Sequence, residues 1–476
     1  MQLKKQITYC FFLLFPFLPQ STYYEKIIGS SANDYSRSVK QLADGSIYIF
    51  GDTDSATFGK NDFSLTKFDR YGNQLWTKYY GTANLENGFY LNTTTDGNLI
   101  FVGETVTGTD ANILIYKVDT SGNIIWNQHY STSVNETANY IEQTKDGGYI
   151  IAGSQNDSLG YYDLLALKLD FNGNYQWHQV YAAGRNDYAK MIRETTDGFI
   201  LVGDTGDSLN NYDVSVLRLD AMGKTVWSKT YGDSLANGSQ GIIITSDGNY
   251  LVYGETQVSP GSPFDAFLKK IDTSGNVLWE KKYGGTEADA IFSVIETSDG
   301  GFACTGYSNS YNNHQPLDLI LLKTDASGNF DWQQTYGRNG IDIGYEIIKS
   351  TDTSGYIITG KVFTSSDDYY LLKLDDNGKL TNIAINDHNI SSSHLVTLYP
   401  NPASDHISIV YQLENQSGTY HLNICDDKGC TLKDIVLDGR QNIATFDLQG
   451  FAPGIYICSL LENNKTVSSK KFIVKD

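Results

Sequence analysis

The chain has 476 residues, of which 40% are hydrophobic and 19% charged, with a formal net charge of −20 and a pI near 4.7. That length allows one large domain and a small second one. Lys and Arg form no long basic run, so nucleic acid and anionic membrane surfaces are poor candidate partners, whereas divalent cations and neutral glycans are compatible.

Residues 1–21 read as a secretory signal peptide. Lys4 and Lys5 precede an apolar run from Ile7 to Leu18, too short for a membrane span. No clean small-x-small cleavage site stands around Pro19 to Thr22, and Cys10 follows Tyr9, which argues against a lipoprotein box. The four remaining cysteines, Cys304, Cys425, Cys430 and Cys458, are too few for a disulfide framework. Cys425 and Cys430 flank a hairpin-like segment, so a disulfide there and two free thiols both fit an oxidising compartment.

Next comes a repeat. All six tryptophans, Trp76, Trp126, Trp177, Trp227, Trp279 and Trp332, recur at gaps of 50, 51, 50, 52 and 53 residues. Each closes the phrase Asp-x-x-Gly-x-x-x-Trp, as in Asp69-Arg-Tyr-Gly72-Asn-Gln-Leu-Trp76. One unit contains four strand-length runs separated by turn residues, which predicts a four-stranded antiparallel meander. The Asp-Gly hairpin at Gly45, Gly97, Gly147, Gly198, Gly248 and Gly300, altered at Gly355, makes seven units, and so does the second hairpin from Gly72 to Gly378.

The seventh unit lacks its tryptophan strand, and Tyr24-Glu-Lys-Ile-Ile-Gly29 copies that strand 52 residues before Trp76. A split blade closes a ring but gains an open solenoid nothing. The expected fold is therefore all-β: a seven-bladed β-propeller over residues 22–381, closed by an N-terminal strand, then a small C-terminal β-sandwich. Apolar runs such as Asp163 to Asp170 predict a third strand buried between blades, with each tryptophan lying over the adjoining blade.

Two groups of residues are candidates for a site. The variable connections between second and third strands, 52–62, 104–112, 154–162, 204–212, 255–265, 307–318 and 361–368, carry Phe58, Tyr161, Tyr162, Tyr212, Phe264 and Tyr311, aromatics suited to stacking on sugar rings. Ten residues before each Asp-Gly hairpin stand Asp34, Glu86, Glu136, Asp187, Asn237 and Asp289. Converging at a channel mouth, they would hold a hard cation such as Ca²⁺. Their recurrence in nearly every blade favours the alternative that each caps its own inter-blade turn.

The tryptophan phrase resembles the docking repeat of quinoprotein dehydrogenases, which bind pyrroloquinoline quinone. No adjacent cysteine pair or inserted catalytic aspartate accompanies it, so the resemblance extends to blade packing alone and no cofactor is expected from it. Hydrolase, zincin and phosphate-loop motifs are absent.

Residues 382–397 are polar and read as a linker, before a different phrase at 398–476. Its marks are Tyr399, Pro400, Asn401 and Pro402, the Gly454-Ile-Tyr456 strand, and Lys470 and Lys471 before Phe-Ile-Val. This segment resembles the type A C-terminal sorting domain of the type IX secretion system of Bacteroidota. The resemblance implies that the secretion machinery is a partner, and that the cargo is secreted or attached to the outer surface once signal peptide and sorting domain are processed. Taken together, the chain reads as an exported non-catalytic propeller binding extracellular glycan or protein through its loop face. The alternatives are a secreted polysaccharide-active hydrolase or lyase on the same scaffold, a quinoprotein-like oxidoreductase, or a structural surface component.

Overall fold

The computed structural model describes residues 23–29, 33–54, 58, 60–132, 134–207, 211–232, 235–311, 317–337, 340–352, 355–363 and 366–380, then 394–399, 403, 406–412, 419–426, 431–437, 443–463 and 465–475. The expected signal peptide and most of the expected linker lie outside them. Two compact units divide between Asn382 and Ile383.

The first unit is a seven-bladed propeller. Every blade is a four-stranded antiparallel sheet in chain order, as in blade 1 with Asp34–Gln41, Ile47–Thr53, Asp62–Phe68 and Gln74–Tyr80. Blade 7 takes its fourth strand from the N-terminus: Tyr24–Ile28 pairs antiparallel with Asp367–Leu374, Tyr24 opposite Lys373. The ring is thus closed as the split repeat predicts.

Local chemistry explains the hairpins. Gly72 has φ 76°, a conformation that costs glycine nothing, and its N–H donates to Asp69 O at 3.0 Å. The Asp69 carboxylate accepts from the backbone N–H of Tyr71 and Asn73, each at 2.9 Å, and from the Asn73 amide at 2.7 Å. The same turn recurs at Asp119, Asp170, Asp272 and Asp325.

The tryptophans join blades. Trp76 lies against Gly122 of blade 2, and Trp126, Trp177, Trp227, Trp279 and Trp332 lie against Gly173, Gly223, Gly275, Gly328 and Gly378. Four residues after most of them a tyrosine hydroxyl donates to that glycine's carbonyl, Tyr80 to Gly122 at 2.8 Å and Tyr283 to Gly328 at 2.6 Å. Within a blade, a third-strand lysine reaches the Asp-Gly hairpin: Lys117 meets Asp96 at 2.6 Å and Lys323 meets Asp299 at 3.0 Å.

Second and third strands are buried on both faces: every residue of Ile47–Thr53 is buried, and so is every residue of Tyr162–Leu169 after the first two. Their side chains form seven apolar clusters, each shared by two neighbouring blades. The closing cluster joins Tyr24, Val39, Ile47, Ile49 and Phe68 to Ile357, Tyr369 and Leu371. At about 1.5–3 kcal/mol for each fully buried large apolar side chain, these interfaces are the main source of stability.

One irregularity recurs in all seven innermost strands. Each carries a β-bulge at the same place, between Ser36 and Ser38 in blade 1 and between Gly344 and Glu346 in blade 7. Opposite the bulge the second strand has a glycine, Gly51, Gly103, Gly153, Gly203, Gly254, Gly306 or Gly360, at which any Cβ would collide with a carbonyl oxygen of the innermost strand. The glycine permits the close approach, and the bulge turns its extra residue toward the axis.

The second unit packs a three-stranded sheet, His394–Tyr399, His406–Gln412 and Ile443–Asp447, with a four-stranded one, Thr431–Val436, Tyr420–Asp426, Gly454–Glu462 and Lys465–Val474, around one core that includes Ile407, Leu422, Cys458 and Phe472. This is the expected sandwich. Cys304, Cys425 and Cys458 are free thiols, and Cys430 lies outside the described residues.

Candidate functional site

The innermost strands run from the loop face toward the Asp-Gly hairpins, and their bulges stand near the loop face. The seven bulged residues, Arg37, Phe89, Asn139, Lys190, Gln240, Phe292 and Tyr345, all line one cavity of about 330 Å³ at the mouth of the central channel. Packing positions of these strands carry similar residues, as Val39, Leu91 and Ile141 do; at the bulge, as at Ser38 and Lys40 and their counterparts, the residues differ blade by blade. Three are aromatic, two are amides, two are cations, and none is a carboxylate.

The ring is internally organised. Phe292 and Tyr345 are stacked with centroids 5.8 Å apart and planes 5° from parallel, and Tyr307 meets Phe292 edge-on at 5.6 Å. The Arg37 guanidinium sits 5.1 Å from the Tyr345 ring. Lys190 pairs with Asp204 at 3.3 Å and Arg37 with Asp52 at 4.0 Å. Asn139 donates to Ala189 O at 2.7 Å.

Burial shapes the carboxylates behind the ring. It pushes Asp52 up to about 6, against the opposing pull of Arg37 and the Asn61 amide. Asp204 is raised by burial in spite of Lys190, and Glu255 by burial and then by the Asp204 charge.

Tyr90, Met191, Tyr253, Ser293 and Glu346 line both this cavity and a second one of about 500 Å³ toward the hairpin face, so the two adjoin along the channel. Glu346 is saturated: Oε1 accepts from Lys40 at 2.6 Å and Tyr90 at 2.8 Å, and Oε2 from Ser38 Oγ and Val39 N, both at 2.6 Å. The second cavity is two-sided, with Lys40, Asn92, Glu142 and Arg193 facing Ile243, Ile295 and Ile348.

The sequence-based aromatics sit elsewhere. Phe58 is exposed on blade 1, Phe264 opens a third strand on blade 5, and Tyr311 on blade 6 donates to Gly284 O at 2.6 Å. Tyr161 carries Arg185 4.5 Å from its ring centroid. Only Tyr162 and Tyr212 are drawn together, each near Tyr188, with centroids 5.4 and 6.1 Å away. None of the six lines the mouth cavity.

The six recurrent polar residues open the innermost strands without converging on the axis. Asp187 accepts from Ala183 N at 2.7 Å and Gly184 N at 2.8 Å, Glu136 from Thr132 N at 3.1 Å, Glu86 from Thr82 and Thr105 at 2.6 and 2.9 Å, and Asp289 from Gly285 N at 3.2 Å. Asn237 donates to Asp213 and Leu235 O at 3.3 and 2.7 Å, and Asp34 is buried at the start of its strand. Buried Asp342 is the blade 7 counterpart. Among the described residues no group of three or more His, Cys, Asp or Glu is placed to hold a metal ion.

The seven bulged residues are absent from the sequence-based candidates, although a signal for them exists. A lone in-metre glycine inside a strand, from Gly51 to Gly360, marks a bulge in its partner.

In the second unit Tyr399 ends a strand, and Pro400, Asn401 and Pro402 lie outside the described residues. Gly454 begins the strand on which Tyr456 is buried, its hydroxyl donating to Ala452 O at 2.6 Å. Lys470 and Lys471 are exposed on the last strand, opposite Cys458 and Ile457.

Residues 397–475 match the family model described as a secretion system C-terminal sorting domain. A search of curated proteins gives no match. Among solved structures, Sqt1 of Chaetomium thermophilum is 14% identical, covering 80% of this chain and 93% of its own, with a TM-score of 0.43. A puromycin hydrolase is 11% identical over 81% of this chain and 59% of its own, with a TM-score of 0.48. PorZ, a type IX secretion surface component of Porphyromonas gingivalis, is 8% identical over 93% and 81%, with a TM-score of 0.28. Among the described residues no helix is long and apolar enough to cross a membrane.

Proposed function

The chain is a type IX secretion cargo, sent by its C-terminal sorting domain to the cell surface or the extracellular space, and from that premise we propose that its propeller is a non-catalytic binding module whose loop face takes an extracellular glycan or protein. The observation that supports this reading is the channel mouth, where seven bulged side chains, three aromatic, two amide and two cationic, gather around one cavity. Repetition serves packing, whereas a site needs to exist once. Aromatic rings, amides and paired charges at a concave surface are groups that bind by stacking and hydrogen bonding.

A second reading, a polysaccharide-active enzyme, has one observation in its favour. Glu255 and Asp204, on second strands of neighbouring blades, are coupled carboxylates both raised by burial, with Lys190 paired to Asp204, and carboxylate pairs serve glycoside hydrolysis. Against it, the Asp204 carboxylate already holds Ser239 N and Oγ of the next blade at 2.6 and 2.7 Å, a structural tie. A binding and hydrolysis screen of the full chain against soluble polysaccharides and glycan arrays tests both. Binding without turnover supports the module, and released product overturns it.

A further inference from the structure

Resting on the binding reading, we infer that the channel mouth is an anion subsite that takes the single carboxylate of a sugar acid, either free or as a residue of an extracellular glycan. Three observations carry this.

First, the charge that faces the cavity is positive. Among the seven bulged residues Arg37 and Lys190 are cations and none is a carboxylate. Their partners stand behind the ring: the side chains of Asp52 and Asp204 are 4% and 9% exposed, against 34% and 30% for Arg37 and Lys190. Asp204 is shared with Ser239, from whose N–H and hydroxyl it accepts at 2.6 and 2.7 Å, and burial pushes both carboxyls toward the neutral form. Glu346 is the one acid among the residues lining the cavity, and its oxygens are filled by Lys40, Tyr90, Ser38 and Val39 N. In a chain of net charge −20, the mouth is a local reversal of sign.

Second, the Arg37 guanidinium is braced with its donors open. It lies over the rings of Tyr345 and Tyr35, 5.1 and 5.6 Å from their centroids, and Tyr345 is stacked in turn on Phe292. Asp52 stands 4.0 Å away, beyond hydrogen-bond reach, and Arg37 Nε has no hydrogen-bond partner among the described residues. A guanidinium held by aromatic faces keeps its fork of N–H donors for a carboxylate, the planar group that matches it in two bonds. Lys190 adds a second cation that donates and cannot accept. A neutral polyol, whose hydroxyls donate as well as accept, meets no open carboxylate in this ring.

Third, the remaining ring members suit a sugar body. In blade order the ring reads cation, aromatic, amide, cation, amide, aromatic, aromatic, from Arg37 and Phe89 round to Phe292 and Tyr345. Aromatic faces interleaved with amides meet the C–H face and the hydroxyl rim of a pyranose. A peptide carboxyl terminus is captured instead in a nest of backbone N–H groups, whereas here the donors are side chains. At about 330 Å³ the cavity lies at the small end of ligand pockets, which span about 300–1,000 Å³. The net charge of −20 disfavours approach by polyanions, so the ligand carries one carboxylate and not a run of them.

The test uses the full chain and calorimetric titration with galacturonic and glucuronic acids against galactose and glucose, the same rings with a hydroxymethyl group in place of the carboxylate. The acids should bind about tenfold or more tightly than the neutral sugars, as charge-assisted hydrogen bonds allow, and added salt should weaken the acids alone. Arg37→Gln and Lys190→Gln should each remove that preference, and Arg37→Lys, which keeps the charge and loses the fork, should restore only part of it. Lys190→Gln, at a partly exposed side chain, should leave the melting temperature unchanged. Tighter binding of an otherwise neutral oligosaccharide bearing one uronic acid than of the free acid assigns the ligand to a glycan, and the reverse order assigns it to the free acid. Equal affinity for acids and neutral sugars, or an unchanged preference in both glutamine variants, overturns the anion subsite while leaving the binding reading in place. Binding of an acetylated dipeptide through its free carboxylate with no response to either uronic acid overturns the sugar assignment. If the uronic acids and a glycan array are both silent, the subsite and the glycan reading fail together.

Discussion

Tyr24 lies over Gly72. A Cβ at Gly72 would come within 2.5 Å of the Tyr24 ring, the relationship that Trp76 has with Gly122 and Trp332 with Gly378. An N-terminal residue thereby locks the last blade onto the first, and Tyr24 itself is 9% exposed.

Loss of that contact should be costly. Tyr24→Ala is expected to destabilise by about 2–4 kcal/mol, as truncation of large buried aromatics does, and removal of residues 23–28 should cost more because the partner strand loses its ladder. Urea denaturation of the full chain measures both. An unchanged midpoint would separate the N-terminal strand from ring closure.

The bulge glycines should tolerate nothing larger. Gly254→Ala places a methyl against the carbonyl oxygen of Gly238, so the expected loss is about 1–3 kcal/mol, the usual penalty for overpacking, together with weaker ligand binding as Gln240 is displaced. Gly97→Ala, where the structure leaves open space, should cost only the positive φ of 79°. Circular dichroism melts of the two variants make the comparison.

Acid should act through the hairpins. The Thr297 hydroxyl, opposed by burial and aided by Lys323, holds the Asp299 carboxyl at about 2, below an unfolded value of about 3.9. A depressed folded value gives stability that is present above about pH 4 and lost as pH falls toward 2. Asp96, Asp146 and Asp247 are shifted the same way, so the acid transition should be cooperative and lie below pH 4. A melting-temperature series from pH 7 to 2 checks this, and an onset above pH 5 would contradict it.

Asp52 should act in the opposite sense. Its carboxyl is raised to about 6 by burial, so its contribution is favourable below about pH 4 and is lost as pH rises through 6. Asp52→Asn is therefore expected to raise stability at pH 7–8, by about 1–3 kcal/mol, and to give no gain at pH 4. Denaturant midpoints at the two pH values decide it.

Calcium should leave the propeller unmoved. Asp187 is engaged with Ala183 N and Gly184 N, so Asp187→Ala should lower the melting temperature equally with Ca²⁺ or with chelator. A calcium-dependent rise in the parent protein would instead establish cation sites.

Some of the site was legible before folding. Turn residues act locally, so Asp69, Gly72 and Asn73 announce their hairpin wherever they stand, and Trp76 repeats because every interface is alike. The aromatics Phe58 and Tyr311 were visible as loop residues, but a loop position does not say where a ring points. Tyr311 spends its hydroxyl on Gly284.

The sequence by itself determined the blade count, the ring closure through Tyr24 and the sorting domain, because each rests on period, turn chemistry and local phrase. Only the tertiary structure decided where the metre converges. Arg37 and Lys190 are 153 residues apart in the chain and line one cavity, since a ring brings equivalent strand positions to a common axis and a bulge adds one residue there. That gathering depends on closure and on the glycine opposite each bulge, a long-range geometry that no single repeat contains.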